Sequence, residues 1–342
     1  MCVYKSMLSI LFVVILFSCL QDKKIVSSTK VPNVHIYKLQ ELNVLQIKSL
    51  ISDSTVILLP GGILEEHGPY LPSFTDGYWN ERFTDTLAQA IAKQGRKVIL
   101  FPTIPLGNSG ANDIGSKYSF PGTYTVRFET LRSIFMDLAT ELGEQGFKKV
   151  FIIHGHGAPN HQRALDQAAA FFNDTYKGQM VNLMGLNPIM SQWFSAPKTK
   201  VEEAEDGFTI HAGMAETSSM LFLVPHLVDP RYQNAPNVKG TDMTSLIKIA
   251  RAPHWPGYFG AENLATAGYG GKAWLQNTSL FTQYALDILD GKIDADTVER
   301  FGDFMKQSKE DIMLDSLSLK EEVRRKTKQT AWIKNYQKKV NR

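Results

Sequence analysis

The stretch KVFIIHGHG, residues 149–157, decides the fold because it joins an apolar run to a polar, glycine-rich turn. Its first five residues are apolar and β-rich apart from the initial lysine, which predicts a short buried strand. Residues 160–176 follow with the apolar spacing of a helix, and we expect Asn160 to be its N-cap. A strand leading into a helix in this way indicates a parallel α/β sheet.

The same alternation extends outward on both sides of this stretch. Further strands are predicted at residues 54–59 (STVILL), 97–101 (KVILF) and 181–184, and further helices at 80–94 and 128–145, the last ended by Gly146. Nearly continuous apolar strands between amphipathic helices are typical of a parallel sheet that is covered on both faces. The predicted fold class is therefore α/β, a layered α/β/α domain with a mainly parallel sheet.

Composition limits the classes of function that fit the chain. Of the 342 residues, 43% are hydrophobic and 21% charged, which suits one large globular domain or two small ones. The net charge is only +3, which argues against nucleic-acid binding. Basic residues gather in Arg324-Arg325-Lys326 and Lys338-Lys339, where a solvated helix face explains them better than a binding patch.

The N-terminus is typical of an exported protein. Lys5 precedes an apolar run at residues 7–17, which ends in Leu16-Phe17-Ser18-Cys19. This pattern predicts a lipoprotein-type signal peptide, residues 1–19, with Cys19 as the lipidated N-terminus in the cell envelope, on the periplasmic or outer-membrane face. The alternative is a plain secretory signal with a chance cysteine. Residues 20–35 are predicted to be a tether.

Only two cysteines occur, Cys2 and Cys19, and both lie in the predicted leader or at its end. A disulfide within the mature chain, a cysteine nucleophile and a cysteine-based zinc site are therefore excluded. The remaining chain divides into a predicted catalytic domain, residues 36–290, and a C-terminal helical extension, residues 291–342. Residues 191–207 are irregular and acidic, and are either a flap over the site or a solvated surface loop.

Polar residues crowd the ends of two predicted strands, which is where parallel sheets bind ligands. Glu65, Glu66 and His67 follow the first predicted strand, and in an extended segment Glu65 and His67 point to the same side. Asp76 comes nine residues after His67, and His156 lies at the end of the strand at 149–153. Two carboxylates and two histidines suit Zn²⁺, Mn²⁺ or another borderline metal ion.

Five motifs in this order resemble those of the creatininase family. They are Gly62-Ile63-Leu64-Glu65-Glu66-His67-Gly68-Pro69-Tyr70-Leu71-Pro72 with Thr75-Asp76, Phe120-Pro121-Gly122-Thr123, His154-Gly155-His156-Gly157, His211-Ala212-Gly213-Met214-Ala215-Glu216-Thr217-Ser218, and Ala265-Thr266-Ala267 with Gly270. The resemblance covers roughly residues 56–271, and leaves out the leader and the C-terminal helices.

The resemblance implies a hydrolase with one or two divalent ions per chain, Zn²⁺ or Mn²⁺. Glu65, Asp76 and His156 would hold one ion, and His67 the second, with Asp76 bridging. A water between the ions would be acidified and would attack a carbonyl as hydroxide. The resemblance assigns proton transfer to His211, and we expect Glu216 to serve as a catalytic residue or a further metal ligand.

Three departures from the family pattern affect this expectation. Ala158 stands where creatinine-hydrolysing members have a glutamate, His154 replaces an asparagine, and Pro159 replaces another, with Asn160 one step later. The second ion would then rely on Glu216 or bind weakly, and creatinine becomes a doubtful substrate. His154 is either a substrate contact or extra ligand, or a hydrogen-bond partner of the ligands.

The function predicted from this resemblance is hydrolysis of a C–N bond in a linear or cyclic amide, with a small molecule as the partner. One alternative is C–C bond hydrolysis of a cyclic β-diketone at the same metal site, and another is a membrane-tethered binding lipoprotein without activity. A homo-oligomer is expected from the resemblance alone. Five aromatic residues are candidates for the pocket wall, although core packing is the better explanation for each: Trp79, Trp193, Phe194, Trp255 and Tyr258.

Overall fold

The computed structural model describes residues 35–340. The predicted signal peptide with Cys19, and the tether up to residue 34, lie outside the described residues. Five parallel strands form one sheet in the order β1-β3-β2-β4-β5. These strands are β1 Ile36–Lys38, β2 Val56–Pro60, β3 Val98–Leu100, β4 Lys149–Ile153 and β5 Gln179–Asn182.

Each central strand is apolar on both sides because both faces of the sheet are covered. In β2, Val56 and Leu58 point into one core and Ile57 and Leu59 into the other. Leu58 is in register with Leu100 on one side and with Phe151 on the other. The strands that the apolar runs predicted are therefore confirmed, with ends shifted by two residues or fewer.

The helices form a layer on each face of the sheet. They are α1 Val44–Leu50, α2 Thr75–Lys93, α3 Phe128–Glu144, α4 Pro159–Tyr176, α5 Asn187–Met190, α6 Lys200–Asp206, α7 Met214–Leu223, α8 Met243–Arg251, α9 Ala267–Leu289, α10 Phe301–Phe304 and α11 Lys309–Val340. Residues of α2, α7 and α9 pack in one core, and residues of α1, α3 and α4 in the other. The layered α/β/α fold is confirmed.

Helix ends differ from the prediction in informative ways. Helix α2 begins at Thr75, five residues before the apolar spacing indicated, so Asp76 lies in its first turn. The predicted N-cap Asn160 is wrong: Ala158 is the N-cap of α4, because Pro159 has a fixed φ that suits the first helical position. Gly146 ends α3 with a φ of +95°, as predicted.

The strand order reverses direction at the two central strands, β2 and β4. The chain leaves β2 toward β3 on one side of the sheet, and leaves β4 toward β5 on the other. Since β2 and β4 are neighbours, their carboxyl ends form a topological switch point, where open α/β sheets bind ligands. Glu65 and His67 follow β2, and His154 and His156 follow β4.

The C-terminal helices pack on the same compact unit as the rest of the described chain. In α11, Asp315 pairs with Arg163 of α4, and the Glu322 carboxylate accepts a hydrogen bond from the backbone of Phe128. The irregular segment predicted at residues 191–207 includes helix α6. Within residues 35–340, no helix combines the length and the apolar composition needed to span a membrane.

Candidate metal centre

Two glycines bring the loop after β2 against the start of α2. A Cβ on Gly62 would lie 2.8 Å from backbone atoms of Gly77, so the two segments approach as closely as backbones can. The side chain of Asn80 then fixes the ends of β2 and β4 by donating to the carbonyls of Gly61 (2.9 Å) and Gly155 (3.0 Å). Asp76, one turn before Asn80, is thereby placed beside the segments that contain Glu65 and His156.

Glu65, Asp76 and His156 form the first group of possible ligands. His156 Nδ1 lies 2.9 Å from Asp76 Oδ2 and 3.3 Å from Glu65 Oε2. The other ring nitrogen, Nε2, faces the carbonyl of Ser109, and a hydrogen bond there leaves Nδ1 as the ligand atom. The backbone N–H of Ala111 donates to the second Glu65 oxygen. All three side chains are buried.

His67 faces the opposite oxygen of the same Asp76 carboxylate. Its Nε2 is 3.5 Å from Asp76 Oδ1 and 3.6 Å from Glu216 Oε2, and its Nδ1 is 3.1 Å from the backbone carbonyl of Glu65. Although buried, His67 Nε2 has no hydrogen-bond partner among the described residues. Asp76 thus lies between two imidazoles, as a bridging carboxylate requires.

His211 has the same arrangement as the other two histidines. Its Nε2 is 2.7 Å from the carbonyl of Glu66, so it donates there, and Nδ1 lies 3.9 Å from Glu65 Oε1. Glu65, His67 and His211 make up a second group whose ligand atoms converge. The geometry therefore suits His211 as a metal ligand as well as in the proton-transfer role that the family resemblance assigns.

Burial and charge shift the pKa values in this cluster strongly. Burial alone would lower the pKa of His67 and of His156. The ion pairs with Asp76 and the charge of Glu65 outweigh burial and raise these pKa values to about 10 and about 9. Burial would raise the pKa of Asp76, but the two histidines hold it well below its usual range. In the absence of metal, Asp76 is thus ionised between two imidazolium rings.

Two further acidic groups lie near these ligands. The Glu66 carboxylate accepts a hydrogen bond from the backbone of Gly68 (3.1 Å), and burial raises its pKa to about 8. Glu262 is fully buried, and neither of its oxygens has a partner within residues 35–340. Burial, followed by the charge of Glu216, raises the pKa of Glu262 to about 9, so this group is protonated at neutral pH.

His154 is placed behind the ligands rather than among them. Its Nδ1 is 3.0 Å from His161 Nε2, and its Nε2 is 3.1 Å from the carbonyl of Ile104. The backbone N–H of Asn108 donates to the other nitrogen of His161. His161 Nε2 therefore donates to His154 Nδ1. His154 Nε2 faces both the Ile104 carbonyl and the backbone N–H of Gly62, which is 3.2 Å away. The two neutral imidazoles connect the end of β4 to the loop after β3.

The five aromatic residues considered for the pocket wall pack in the protein core. Trp79, Phe194, Trp255 and Tyr258 are buried, and Trp193 is partly buried against Trp79, with 5.8 Å between ring centroids. Core packing, the favoured interpretation, accounts for them. Ala158 supplies no ligand atom and serves instead as the N-cap of α4.

The cluster fits divalent metal ions on two grounds. Its donors are imidazole nitrogens and carboxylate oxygens, the set that Zn²⁺ and Mn²⁺ prefer. A buried nitrogen without a partner, such as His67 Nε2, is costly unless something binds to it. Glu65, His67, Asp76, His156 and Glu216, which were predicted from the sequence, all meet here.

A family model described as creatinine amidohydrolase matches residues 40–282. The chain belongs to the creatininase family. The match covers more than half of the sequence and includes every predicted ligand. The predicted bounds of the catalytic domain, residues 36–290, stay a prediction.

Individual relatives are distant. A 3-dehydro-scyllo-inosose hydrolase of Thermotoga maritima is 24% identical over 278 residues, which are 77% of this chain and 84% of that protein. A creatinine amidohydrolase of Pseudomonas putida is 26% identical over 181 residues, 51% of this chain and 66% of that one. A Mycolicibacterium smegmatis mycofactocin precursor peptide peptidase is 26% identical over 179 residues, covering 52% of this chain and 62% of that protein.

Solved structures agree on the fold. A creatininase described as the Mn form gives a TM-score of 0.55 at 18% identity, covering 74% of this chain and 98% of that one. A mutant creatininase of the Zn-Zn type gives 0.51 at 19% identity, with the same coverage. Together with the family match and the ligand cluster, these similarities make the chain a hydrolase with a site for divalent metal.

Several residues of the metal centre were not predicted from the sequence. Ser109 and Ala111 act through backbone atoms, which no side-chain motif reveals. His161 lies in the first turn of α4, between the polar residues Asn160 and Gln162, where a histidine is not distinctive. The one available signal for Glu262 was its position three residues before the Ala265-Thr266-Ala267 motif.

Proposed function

We propose that this chain hydrolyses a C–N bond of a linear or cyclic amide at a site that holds up to two Zn²⁺ or Mn²⁺ ions. The observation that supports this most is the pair of imidazole nitrogens facing the two oxygens of one buried carboxylate, Asp76. Glu65, Asp76 and His156 would hold one ion. His67, Asp76 and Glu216 would hold the second, more weakly because Ala158 adds no ligand.

Divalent ions in such a site lower the pKa of a water molecule and polarise the carbonyl group of a substrate. The chain itself must then move a proton to the leaving nitrogen. Burial, with the charge of His67, keeps the pKa of His211 well below its usual range, so this imidazole is neutral. Because its Nε2 donates to the Glu66 carbonyl, Nδ1 is the atom that accepts a proton and passes it on.

Glu216 has a second role beside His211. One of its oxygens accepts a hydrogen bond of 2.7 Å from the backbone N–H of Ala212, which has a positive φ of 51°. This contact holds the strained turn that follows His211, so Glu216 positions the proton carrier as well as facing His67. Both catalytic assignments, His211 and Glu216, remain part of the proposal.

A second candidate function is C–C bond hydrolysis of a cyclic β-diketone at the same site. The similarity to the protein named 3-dehydro-scyllo-inosose hydrolase favours it, because that similarity extends over 77% of this chain. Creatinine itself is expected to be a poor substrate, since Ala158 stands where creatinine-hydrolysing members have a glutamate.

Metal analysis is the first test. The full chain is treated with chelator and then incubated with Zn²⁺ or Mn²⁺. After excess ions are removed, elemental mass spectrometry measures the bound metal. We expect up to two ions per chain. Asp76→Asn should lose both, whereas Asp137→Asn, the same change on the exposed face of α3, should lose none. A wild-type chain that binds no ion would overturn the proposal.

A substrate screen of the metal-loaded chain is the second test. Cyclic amides and small linear amides are scored by release of amine or acid, and cyclic 1,3-diketones by release of acid alone. Turnover of amides supports the main proposal, and turnover confined to diketones supports the second candidate. A loaded chain that binds members of these classes and turns over none of them would be the non-catalytic binding lipoprotein considered from the sequence.

Export and lipidation at Cys19 complete the proposal, supported by the apolar run that ends in Leu16-Phe17-Ser18-Cys19. Mass spectrometry of membrane-extracted protein should show an acylated N-terminal Cys19. An unmodified N-terminus at another residue would contradict lipidation. The homo-oligomer implied by family resemblance stays a prediction, which sedimentation velocity tests.

A further inference from the structure

The last 14 residues of the 32-residue C-terminal helix α11, Thr327–Val340, lie outside the packed body. Up to Lys326 the helix is held by contacts such as Ser318 with Asp113 (3.0 Å) and Lys326 with Glu129. Every residue from Thr327 to Val340 is exposed, and within the described chain none of them forms a side-chain hydrogen bond or ion pair with another element. At about 1.5 Å per residue, this exposed helix is about 20 Å long.

The charge of this segment is entirely positive. From Thr327 to the end, the sequence has five lysine and arginine residues and no aspartate or glutamate. The net charge of the whole chain is only +3, so the residues before Thr327 have a net negative charge. The net charge of the segment is thus opposite in sign to that of the rest of the chain.

Apolar side chains of the segment form one stripe along the helix. Trp332, Tyr336 and Val340 are spaced by four residues and Ile333 is adjacent, so all four lie on one face. They are 48–64% exposed. The rings of Trp332 and Tyr336 stack with centroids 5.1 Å apart. By the helical period, Lys334 and Lys338 point away from this stripe.

Charge decides which occupant suits this stripe. Two copies of the segment packed on each other would bring their lysine and arginine side chains together, which opposes self-association. An anionic lipid surface attracts the same charges, and its headgroup region accommodates aromatic rings that are apolar in the body and polar at the tip. We propose that residues 327–340 of α11 bind an anionic phospholipid surface, with Trp332, Ile333, Tyr336 and Val340 facing the acyl chains.

This proposal is independent of the proposed activity and of lipidation at Cys19. Its test therefore measures a signal from the exposed helix only. The full chain is reconstituted into vesicles of phosphatidylcholine, or of equal parts phosphatidylcholine and phosphatidylglycerol, with brominated acyl chains as quenchers. A Trp332→Phe variant, measured in parallel, subtracts the other four tryptophans. We expect Trp332 fluorescence to be quenched in the anionic vesicles and not in the neutral ones.

Charge variants test the cause of binding. Each basic residue contributes about fivefold to association with an anionic surface. Replacing Lys334, Lys338 and Lys339 by glutamine should therefore weaken association about 100-fold and abolish quenching. The matched control replaces three exposed lysines of the body, Lys48, Lys93 and Lys200, by glutamine, and should keep the wild-type signal. Circular dichroism checks that the helix persists in each variant.

Three results would overturn the proposal. Absence of Trp332 quenching in anionic vesicles would exclude contact with the acyl chains. Equal quenching in neutral vesicles would show that the basic residues have no part in binding. Finally, in detergent without vesicles, a smaller sedimentation coefficient for Ile333→Asp than for wild type would show that the stripe packs on a second copy instead.

Discussion

Metal binding to this site should release protons, and the structure sets how many. In the metal-free protein the pKa of His67 is about 10 and that of His156 about 9, so both rings are protonated at neutral pH. A protonated nitrogen cannot bind an ion, so each histidine must lose a proton when its ion enters. Titration of chelator-stripped protein with Zn²⁺ at several pH values measures this proton release.

The pKa values of His67 and His156 set the expected number of released protons and the change of metal affinity with pH. One of these two histidines belongs to each proposed ion, so at least one proton should leave per ion between pH 7 and pH 8. Affinity should rise with pH, about tenfold per unit for each proton released, and therefore about 100-fold from pH 6 to pH 8. Burial also raises the pKa of Glu216 to about 7, which adds a further proton below that pH.

Isothermal titration calorimetry in buffers of different ionisation enthalpy measures both quantities. His67→Gln should lower the number of protons released by one, while His226→Gln, an exposed histidine outside the cluster, should leave it unchanged. Binding without proton release, or an affinity that is constant from pH 6 to pH 8, would refute the charge state assigned to the metal-free site.

Three further variants test separate parts of the structure. His211→Ala should lower kcat about 10²–10⁴-fold with metal content unchanged, and loss of metal would make His211 a ligand instead. Phe281→Ala should lower the free energy of unfolding by about 3–5 kcal/mol in urea titrations, because the ring is fully buried, and exposed Leu280→Ala should cost clearly less. Glu262→Gln should stabilise the metal-free protein more at pH 8 than at pH 5. The folded wild type keeps this carboxyl protonated up to a pKa of about 9, whereas the unfolded chain ionises it above its ordinary pKa, so wild-type stability falls as pH rises between the two values. Equal effects of Glu262→Gln at both pH values would contradict that pKa.

The sheet could be predicted because its central strands are apolar on both sides, a signal contained in each strand by itself. Strand β1, Ile36–Lys38, could not, since three residues gain strand geometry only by pairing with β3. Helix α1 was missed although Asn43 and Gln46 form a readable capping box in front of it. Helix α2 was predicted too short because its first turn is set by packing of Gly77 on Gly62.

The ligands could be predicted because strand ends in a parallel sheet meet at one edge, and because their order matched the family motifs. The groups that orient the ligands could not, since they come from distant segments. The Ser109 carbonyl reaches His156 across 47 positions of the chain. The burial of Glu262 likewise depends on packing between segments far apart in sequence.

Each of the three site histidines is oriented by a main-chain carbonyl: His67 by that of Glu65, His211 by that of Glu66 and His156 by that of Ser109. A backbone acceptor survives any substitution that preserves the path of the chain. The orientation of each ring therefore does not depend on which side chain is present at the residue that supplies the carbonyl. A substitution at Ser109 that keeps the path of the chain should leave the orientation of the His156 ring unchanged.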